Sequence, residues 1–420
     1  MRVLVVGGGG REHAMGRALA TTPGVTLMAA PGNPGTAEVG RNLPIEADDV
    51  PRLVEAARRE QVDLVIPGPE IPLVAGLGDA LGGAGIPCAG PNAAAARLEG
   101  SKAFARRIAA AAGVPSPRYR VVGAAPEVAA ALADFDSPPV VKADGLAGGK
   151  GVFLPDTVDE CAEIASSLLG GRLGAAGATV ILEERLIGAE ASLFHACRGV
   201  EAVALPHAMD HKRLEDGDRG PNTGGMGAVS PNPIVYSDLE EEARRRIVLP
   251  TLQGLAAAGT PFHGFLFTGL MLTASGPVLL EFNVRLGDPE AQVVLPRLPD
   301  GVFADLCAWV AGTRDTPPVV SGDAPPTCAV VLAAAGYPEA HRRGDPITLS
   351  AGLETADRWF IHAGTRRDGG TLLTNGGRVG AVVARGATPA AARNAAYSGV
   401  THVQWEGMTY RSDIGRRGND

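Results

Sequence analysis

Apolar residues fall in short blocks separated by polar stretches rich in Gly and Pro, and the blocks follow two different periods. Residues 3–6, 25–28 and 62–66 are mainly apolar runs of strand length, while Ala14, Met15, Ala18 and Leu19, then Val50, Leu53, Val54 and Ala57, recur at helical spacing. Strands alternating with helices predict a parallel sheet that gathers ligands at the carboxyl ends of its strands. Further strands are predicted at 139–142, 179–182 and 264–268, with a helix from Leu239 to Leu255. The run Val278-Leu-Leu280 reads as a buried strand, and alternation beyond it puts Glu281, Asn283 and Arg285 on one face. Past the Pro-rich breaks at 314–318 and 323–326 the pattern changes to short strands (328–332, 359–362, 379–383) alternating with turns. Residues 322–420 therefore read as a separate small α+β domain whose last residues, 416–420, are frayed.

Composition narrows the function classes. The chain has 420 residues, enough for several domains, with 45% hydrophobic and 20% charged residues, an ordinary balance for a globular protein. Its formal net charge of -8 argues against nucleic acid or an anionic membrane surface as the main partner. The five cysteines are scattered without a Cys-x-x-Cys pair, so neither zinc nor a disulfide framework is expected, and the location expected is the cytoplasm. Met1-Arg2 leads straight into a strand, which leaves no signal-peptide core, and no apolar run is long enough to span a bilayer.

Candidate chemistry begins at Gly7-Gly-Gly-Gly10, between a strand and a helix start. Backbone N–H groups there suit a phosphate. A dinucleotide fingerprint fails, because the third glycine position is Glu12 and the next strand runs into Pro31-Gly-Asn33 rather than an acidic ribose ligand. The loop reads as a cradle for a substrate phosphate. Glu70 follows the third strand, as a solvated loop residue or a functional one, and Lys102 on the next helix is equally open. Residues 139–154 read as a strand, a glycine loop with Lys150, and a strand: a hairpin flap over phosphates, not a Walker A loop. Lys142, inside an apolar strand, needs an anion, either a ligand or an internal salt-bridge partner. The linker holding Glu183 and Glu190 is a plain exposed turn or a seat for adenine and ribose. Residues 207–227 have little to bury and read as a mobile, substrate-facing loop, in which His211 beside Lys212 and Arg213 is a poor metal ligand. Glu281, Asn283 and Arg285, followed by Asp288 and Glu290, combine oxygen donors with a guanidinium, which suits a hard cation carrying phosphate oxygens.

In order along the chain stand Gly8-Gly-Gly-Arg-Glu-His-Ala14, Pro31-Gly-Asn33, Gly68-Pro-Glu70, Lys142-Ala-Asp-Gly-Leu146, Asp210-His-Lys-Arg213, Gly220-Pro-Asn-Thr-Gly-Gly-Met-Gly227, Arg285-Leu-Gly-Asp-Pro-Glu290 and His362-Ala-Gly-Thr365. Together they resemble the phosphoribosylamine–glycine ligase family of ATP-grasp enzymes over nearly the whole chain. The resemblance implies an α/β fold: a Rossmann-like parallel sheet (1–98), a two-lobed α+β ATP-grasp core (99–321, small lobe about 120–187) and a small C-terminal α+β domain (322–420). It implies ATP contacts by Lys102, Lys142 and the flap Gly148, Gly149, Lys150 and Gly151. It also implies backbone at Glu184 and Leu186 on adenine with Glu183 nearby, and Glu190 on ribose. Magnesium or manganese falls to Glu281 and Asn283. Glycine falls to Asp210 and Arg285, and 5-phosphoribosylamine to Gly8, Gly9, Gly10, Arg11, Glu70, Asn222 and Thr223. The implied protein is a cytoplasmic monomer with small-molecule substrates only. Where the family often has Leu-Ala-Ala-Gly-Lys, this chain has Leu146-Ala-Gly-Gly-Lys150, which loosens the flap. The strand before Glu281 offers no further acid at 269–272. The rivals are a carboxylating ATP-grasp enzyme, which Asp210-His-Lys-Arg213 and Asn222-Thr223 disfavour, and a non-catalytic nucleotide-binding regulator, which intact Glu281, Asn283 and Lys142 disfavour.

Overall fold

A computed structural model describes residues 1–321 and 324–416. Of the C-terminal stretch anticipated from the sequence, Gly322, Asp323 and residues 417–420 of the expected frayed end lie outside the described residues.

Val3, Leu4, Val5 and Val6 are fully buried, as a strand covered on both faces requires, and the strand Arg2–Gly7 is central. Its sheet is parallel, in the order Arg41–Asn42, Thr26–Pro31, Arg2–Gly7, Leu64–Pro67. The helix Gly10–Ala20 follows and buries Ala14, Met15 and Leu19, the face given by their spacing.

The middle of the chain forms two antiparallel sheets. The smaller runs Tyr119–Val122, Val180–Glu183, Val140–Ala143, Val152–Phe153 and has its own core of Val122, Leu132, Val141, Cys161, Leu168 and Leu182. The larger runs Glu201–Ala204, Ala189–Arg198, His263–Thr273, Gly276–Asn283. Its Leu266, Leu270, Leu279 and Phe282 pack with Ile108 and Ala109 of the helix Lys102–Ala111 and with Leu252 and Leu255 of Leu249–Ala257. The expected helix from Leu239 is continuous through a wider turn at Arg244–Val248.

The last sheet corrects the expectation of a mobile loop at 207–227. Met209–Asp210 and Gly227–Ser230 are strands of a five-stranded sheet completed by Thr327–Ala333, Arg378–Arg385 and Arg358–His362. Gly227 permits the pairing: a Cβ there would lie 2.6 Å from the carbonyl oxygen of Ala329. Met226 and Ala228 are buried in the process, and only the hairpin of Arg213–Glu215 and Arg219–Asn222 stays outside. One buried cluster holds Val3 and Met15 with Phe194 and Phe265 and with Val331 and Trp359, so the three sheets share a core. The cysteines are unpaired, and no helix among the described residues is long and apolar enough to cross a membrane.

Candidate active site

Glu281, near the end of the strand Gly276–Asn283, is the centre of a charge cluster. Burial pushes its carboxyl up, but Lys212, Lys142, Lys102 and Arg285 together hold it below its ordinary value. These cations arrive from both lobes, from the strand Val140–Ala143, from the start of the helix Lys102–Ala111 and from the stretch after Met209–Asp210. Lys212 also pairs with Glu190 at 3.1 Å and is raised by Asp210, Glu281 and Glu190 against its burial. Asp210 moves upward, first through burial and then through Glu190 and Glu281, with Lys212 opposing. Glu290 is 4% exposed, and burial and then Asp210 push it up to about 8.

Arg285 lies just past the end of the strand rather than on it, yet it still joins Glu281's face. Its guanidinium donates to Glu70 (3.1 Å), Glu99 (2.8 Å) and Asn283 Oδ1 (3.2 Å). Glu70 opens the short helix Glu70–Val74 rather than lying in a loop, and its carboxyl is held low by Arg285 and Arg11 in spite of burial. Glu99 accepts from Val284 N–H as well (2.8 Å). Burial raises its carboxyl to about 7 against the pull of Arg285. Sequence reasoning missed Glu99, which looks like one more helical charge.

Lys142 is 8% exposed and its ammonium lies 2.5 Å from Glu183 Oε2, so its anion in this structure is internal. Glu183 ends the strand Val180–Glu183 instead of belonging to the linker, and Arg106 donates to both its oxygens (2.7 and 2.9 Å). Burial opposes these contacts, but Lys142 and Arg106 prevail and hold the carboxyl down at about 2. Asp144 fixes the base of the flap: it accepts from Ser101 Oγ (3.0 Å) and from Ala103 N–H (2.7 Å) at the first turn of the helix that carries Lys102. The flap is the expected hairpin, with Val141 opposite Phe153 and Lys142 opposite Val152. Gly148 and Gly149 take positive φ with no atom near where a Cβ would be, and Lys150 is exposed. From Glu184 to Gly188 the chain crosses between the lobes. Glu184 N–H is taken by Arg118 O (2.9 Å), while Leu186 is half-buried and Glu190 exposed.

The glycine loop departs from the simple cradle. Gly9 caps the helix and its N–H goes to Glu12 Oε2 (2.5 Å), because a Glu at the third helical position reaches back to the cap. The other oxygen of Glu12 takes Arg11 Nε (2.6 Å), and Arg11 also donates to Leu286 O (3.1 Å). Asp288 accepts from the Arg11 backbone. Two carboxylates therefore flank the loop, leaving Gly8 and Gly10 as its less committed glycines. Thr223 donates its hydroxyl to Lys212 O (2.8 Å), and Asn222 is exposed at the hairpin edge. Arg378 ties Gly224 O to Asp288 O, which brings this loop to the same cleft.

Among the described residues no group of three or more His, Cys, Asp or Glu forms a metal cage. Glu281 and Asn283 are oxygen donors, and the surrounding cations suit phosphate. That donor set fits magnesium, which takes one or two protein ligands and completes its shell with phosphate oxygens and water.

The comparisons with known proteins agree along the full length. Models for the N, ATP-grasp (A) and C domains of phosphoribosylglycinamide synthetase match residues 1–99, 100–291 and 327–417. The chain belongs to the phosphoribosylglycinamide synthetase family. Members of this family are ATP-grasp ligases of purine biosynthesis, and their ATP-grasp domain binds ATP. The phosphoribosylamine–glycine ligase of Allochromatium vinosum is 47% identical over 422 residues, covering 99% of this chain and 98% of that one. The crystal structure of phosphoribosylamine–glycine ligase from Thermotoga maritima superposes with a TM-score of 0.86 at 35% identity, covering 99% of this chain and 100% of that one. The biotin carboxylase domain of Hydrogenobacter thermophilus 2-oxoglutarate carboxylase gives 0.76 at 14% identity, covering 97% of this chain and 91% of that one. That second likeness is one of fold alone. The cluster around Glu281 lies within the residues matched by the ATP-grasp (A) domain of phosphoribosylglycinamide synthetase.

Proposed function

We propose that this protein joins glycine to 5-phosphoribosylamine, giving glycinamide ribonucleotide, ADP and phosphate through glycyl phosphate. What supports this most is the convergence of Lys212, Lys142, Lys102 and Arg285 on Glu281. A carboxylate is a poor electrophile, and phosphoryl transfer to it asks for positioning and charge neutralisation, not a protein nucleophile.

In this reading Lys102, Lys142 and the flap Gly148–Gly151 hold the ATP phosphates. Backbone at Glu184 and Leu186 takes adenine, and Glu190 takes ribose. Glu281 and Asn283 hold magnesium or manganese, which when bound neutralises the transferring phosphate. Asp210 faces the ammonium of glycine, and Arg285, locked by Glu99 and Glu70, faces its carboxylate. One carboxylate oxygen of glycine attacks the γ-phosphorus and ADP leaves. The amine nitrogen of phosphoribosylamine then attacks the acyl carbon, loses a proton, and expels phosphate carrying that oxygen. Gly8, Gly10, Arg11, Glu70, Asn222 and Thr223 face the phosphoribosylamine, with Gly9 shared with Glu12. Water is kept out by the flap and the 222–225 loop, since an acyl phosphate hydrolyses. The protein acts as a cytoplasmic monomer divided near residues 98 and 322, with strands from 209–230 reaching into the C-terminal sheet.

The test is ADP release with glycine, with and without phosphoribosylamine. Glycinamide ribonucleotide and ADP should form in equal amounts only with all three substrates. ATP cleavage stimulated by bicarbonate, with no glycine requirement, would replace this reading by the carboxylating one.

A further inference from the structure

Arg106 has no part in the roles above, yet it is 3% exposed and touches both lobes. From the helix Lys102–Ala111 it reaches four oxygens. Two belong to Glu183 of the small lobe (2.7 and 2.9 Å). The others are the carbonyls of Leu279 (3.3 Å) and Leu280 (2.6 Å), directly before Glu281 in the large lobe. Glu183 in turn holds Lys142 at 2.5 Å, and Lys142 and Glu183 stand diagonally on neighbouring strands, where Val140 pairs Glu183 and Lys142 pairs Ile181.

Each contact has a reason that other residue types do not meet. A guanidinium is a planar fork with five N–H donors, so it can serve a carboxylate and two carbonyls together, whereas a lysine is a point charge with three donors. One ammonium N–H of Lys142 is committed to Glu183, which leaves two for a phosphate. Arg106 and Lys142 share one carboxylate, so the trio by itself carries a net positive charge in a buried place. Lys102, Asp144 and Glu281 are the other charged groups facing it.

We infer that Arg106 is a positioning residue for phosphoryl transfer: through Glu183 and the Leu279 and Leu280 carbonyls it fixes the spacing between Lys142 on one lobe and Glu281 on the other. This inference rests on the proposed ligase reading and adds to it a residue that touches no substrate. Asp144 ties the base of the flap to the same helix through Ser101 and Ala103, while Arg106 reaches both the partner of Lys142 and the residues before Glu281; a misplacement of about 1 Å can lower a rate about 100-fold.

The experiment is a double-mutant cycle with steady-state kinetics and calorimetric binding of MgATP. Arg106→Lys keeps the charge but cannot bridge four oxygens. It should lower kcat about 100-fold while the KM and Kd for MgATP stay within about threefold, because the loss falls on the transition state. In the Lys142→Ala background the same substitution should add less than about threefold, since its intermediary is gone. Equal losses in both backgrounds, or kcat and KM worsening together in step with a lower melting temperature, would overturn the inference. If Arg106→Lys does not fold, Glu183→Gln takes its place in the cycle, with the same pattern expected and the same additivity counting against it. Wild-type protein that makes no glycinamide ribonucleotide removes the ligase reading and this inference together. Normal wild-type turnover with an additive cycle removes this inference alone.

Discussion

Lys142 and Glu183 lie 2.5 Å apart, and the same carboxylate is forked by Arg106. The lysine's internal partner is therefore satisfied twice over, and the lysine can lend its remaining N–H groups to a nucleotide without leaving the carboxylate unpaired. Lys142→Ala should accordingly weaken ATP binding and lower turnover together, while the melting temperature changes little because Arg106 still covers Glu183. Calorimetric ATP titration of the folded variant decides. Unchanged affinity would make the pair purely structural.

Glu281→Gln should reduce turnover more than it weakens ATP binding. The carboxylate sits among Lys212, Lys142, Lys102 and Arg285, so removing its charge leaves the cations to hold ground-state phosphates. What is lost is the hold on a metal whose phosphate oxygens gain charge in the transition state. Comparing kcat with ATP affinity separates the two; equal losses would confine Glu281 to ground-state binding.

The flap offers a prediction about order. Gly148 and Gly149 make no packing contact at the position of a side chain, and the segment is held at its base, where Asp144 bonds Ser101 and Ala103, Gly145 N–H donates to Ala176 O (3.1 Å) and Gly151 O accepts from Ala143 N–H (2.8 Å). Amide hydrogens at 146–151 should exchange fast in the free protein and slow markedly with MgATP. Slow exchange without nucleotide would show a flap that does not close.

Acid should loosen the C-terminal sheet. Burial, with Arg297 beside His207, Arg411 beside His211 and Arg367 beside His362, lowers these three imidazoles to about 4. Burial and then Arg244 lower His195 to about 4. His207 accepts from Asn232 N–H (2.9 Å) and His211 from Gly415 N–H (3.2 Å), bonds that need the neutral ring. Depressed pKa values give stability that is complete above about 6.5, the ordinary histidine value, and lost as pH falls from there through about 4. Glu99 and Glu290, raised to about 7 and about 8, act the other way together with Asp210, Glu38 and Glu240, while the depressed carboxyls of Glu70, Glu183, Glu281 and Asp288 act with the histidines. The melting temperature should thus fall steadily between pH 6.5 and 4. A flat profile over that range would contradict the neutral, bonded histidines.

Much of this site was legible because its chemistry sits on regular local patterns. Alternation past Leu280 put Glu281 and Asn283 on one face, and two short strands around glycines gave the flap. Lys142 in an apolar strand announced a buried anion, but nothing local could say whether that anion was Glu183 or a ligand. Arg106 and Glu99 look like solvated helical charges, since their burial is decided by a sheet more than 70 residues away in the chain. The same holds for 207–227. A polar, glycine-rich stretch reads as a free loop, but Gly227–Ser230 is paired by Thr327–Ala333 and in turn pairs Met209–Asp210, and no local pattern records a partner so distant. At the first loop the glycines pointed to a phosphate cradle, whereas the identity of the third helical residue, Glu12, determines which N–H is already used.

The central claim is that glycine is activated as an acyl phosphate beside Glu281 and Lys142. Glycine labelled with oxygen-18 in its carboxylate, incubated with MgATP and phosphoribosylamine, tests it most directly. One labelled oxygen should appear in each inorganic phosphate released as glycinamide ribonucleotide forms. Unlabelled phosphate alongside the same product would contradict the acyl phosphate and the account built on it.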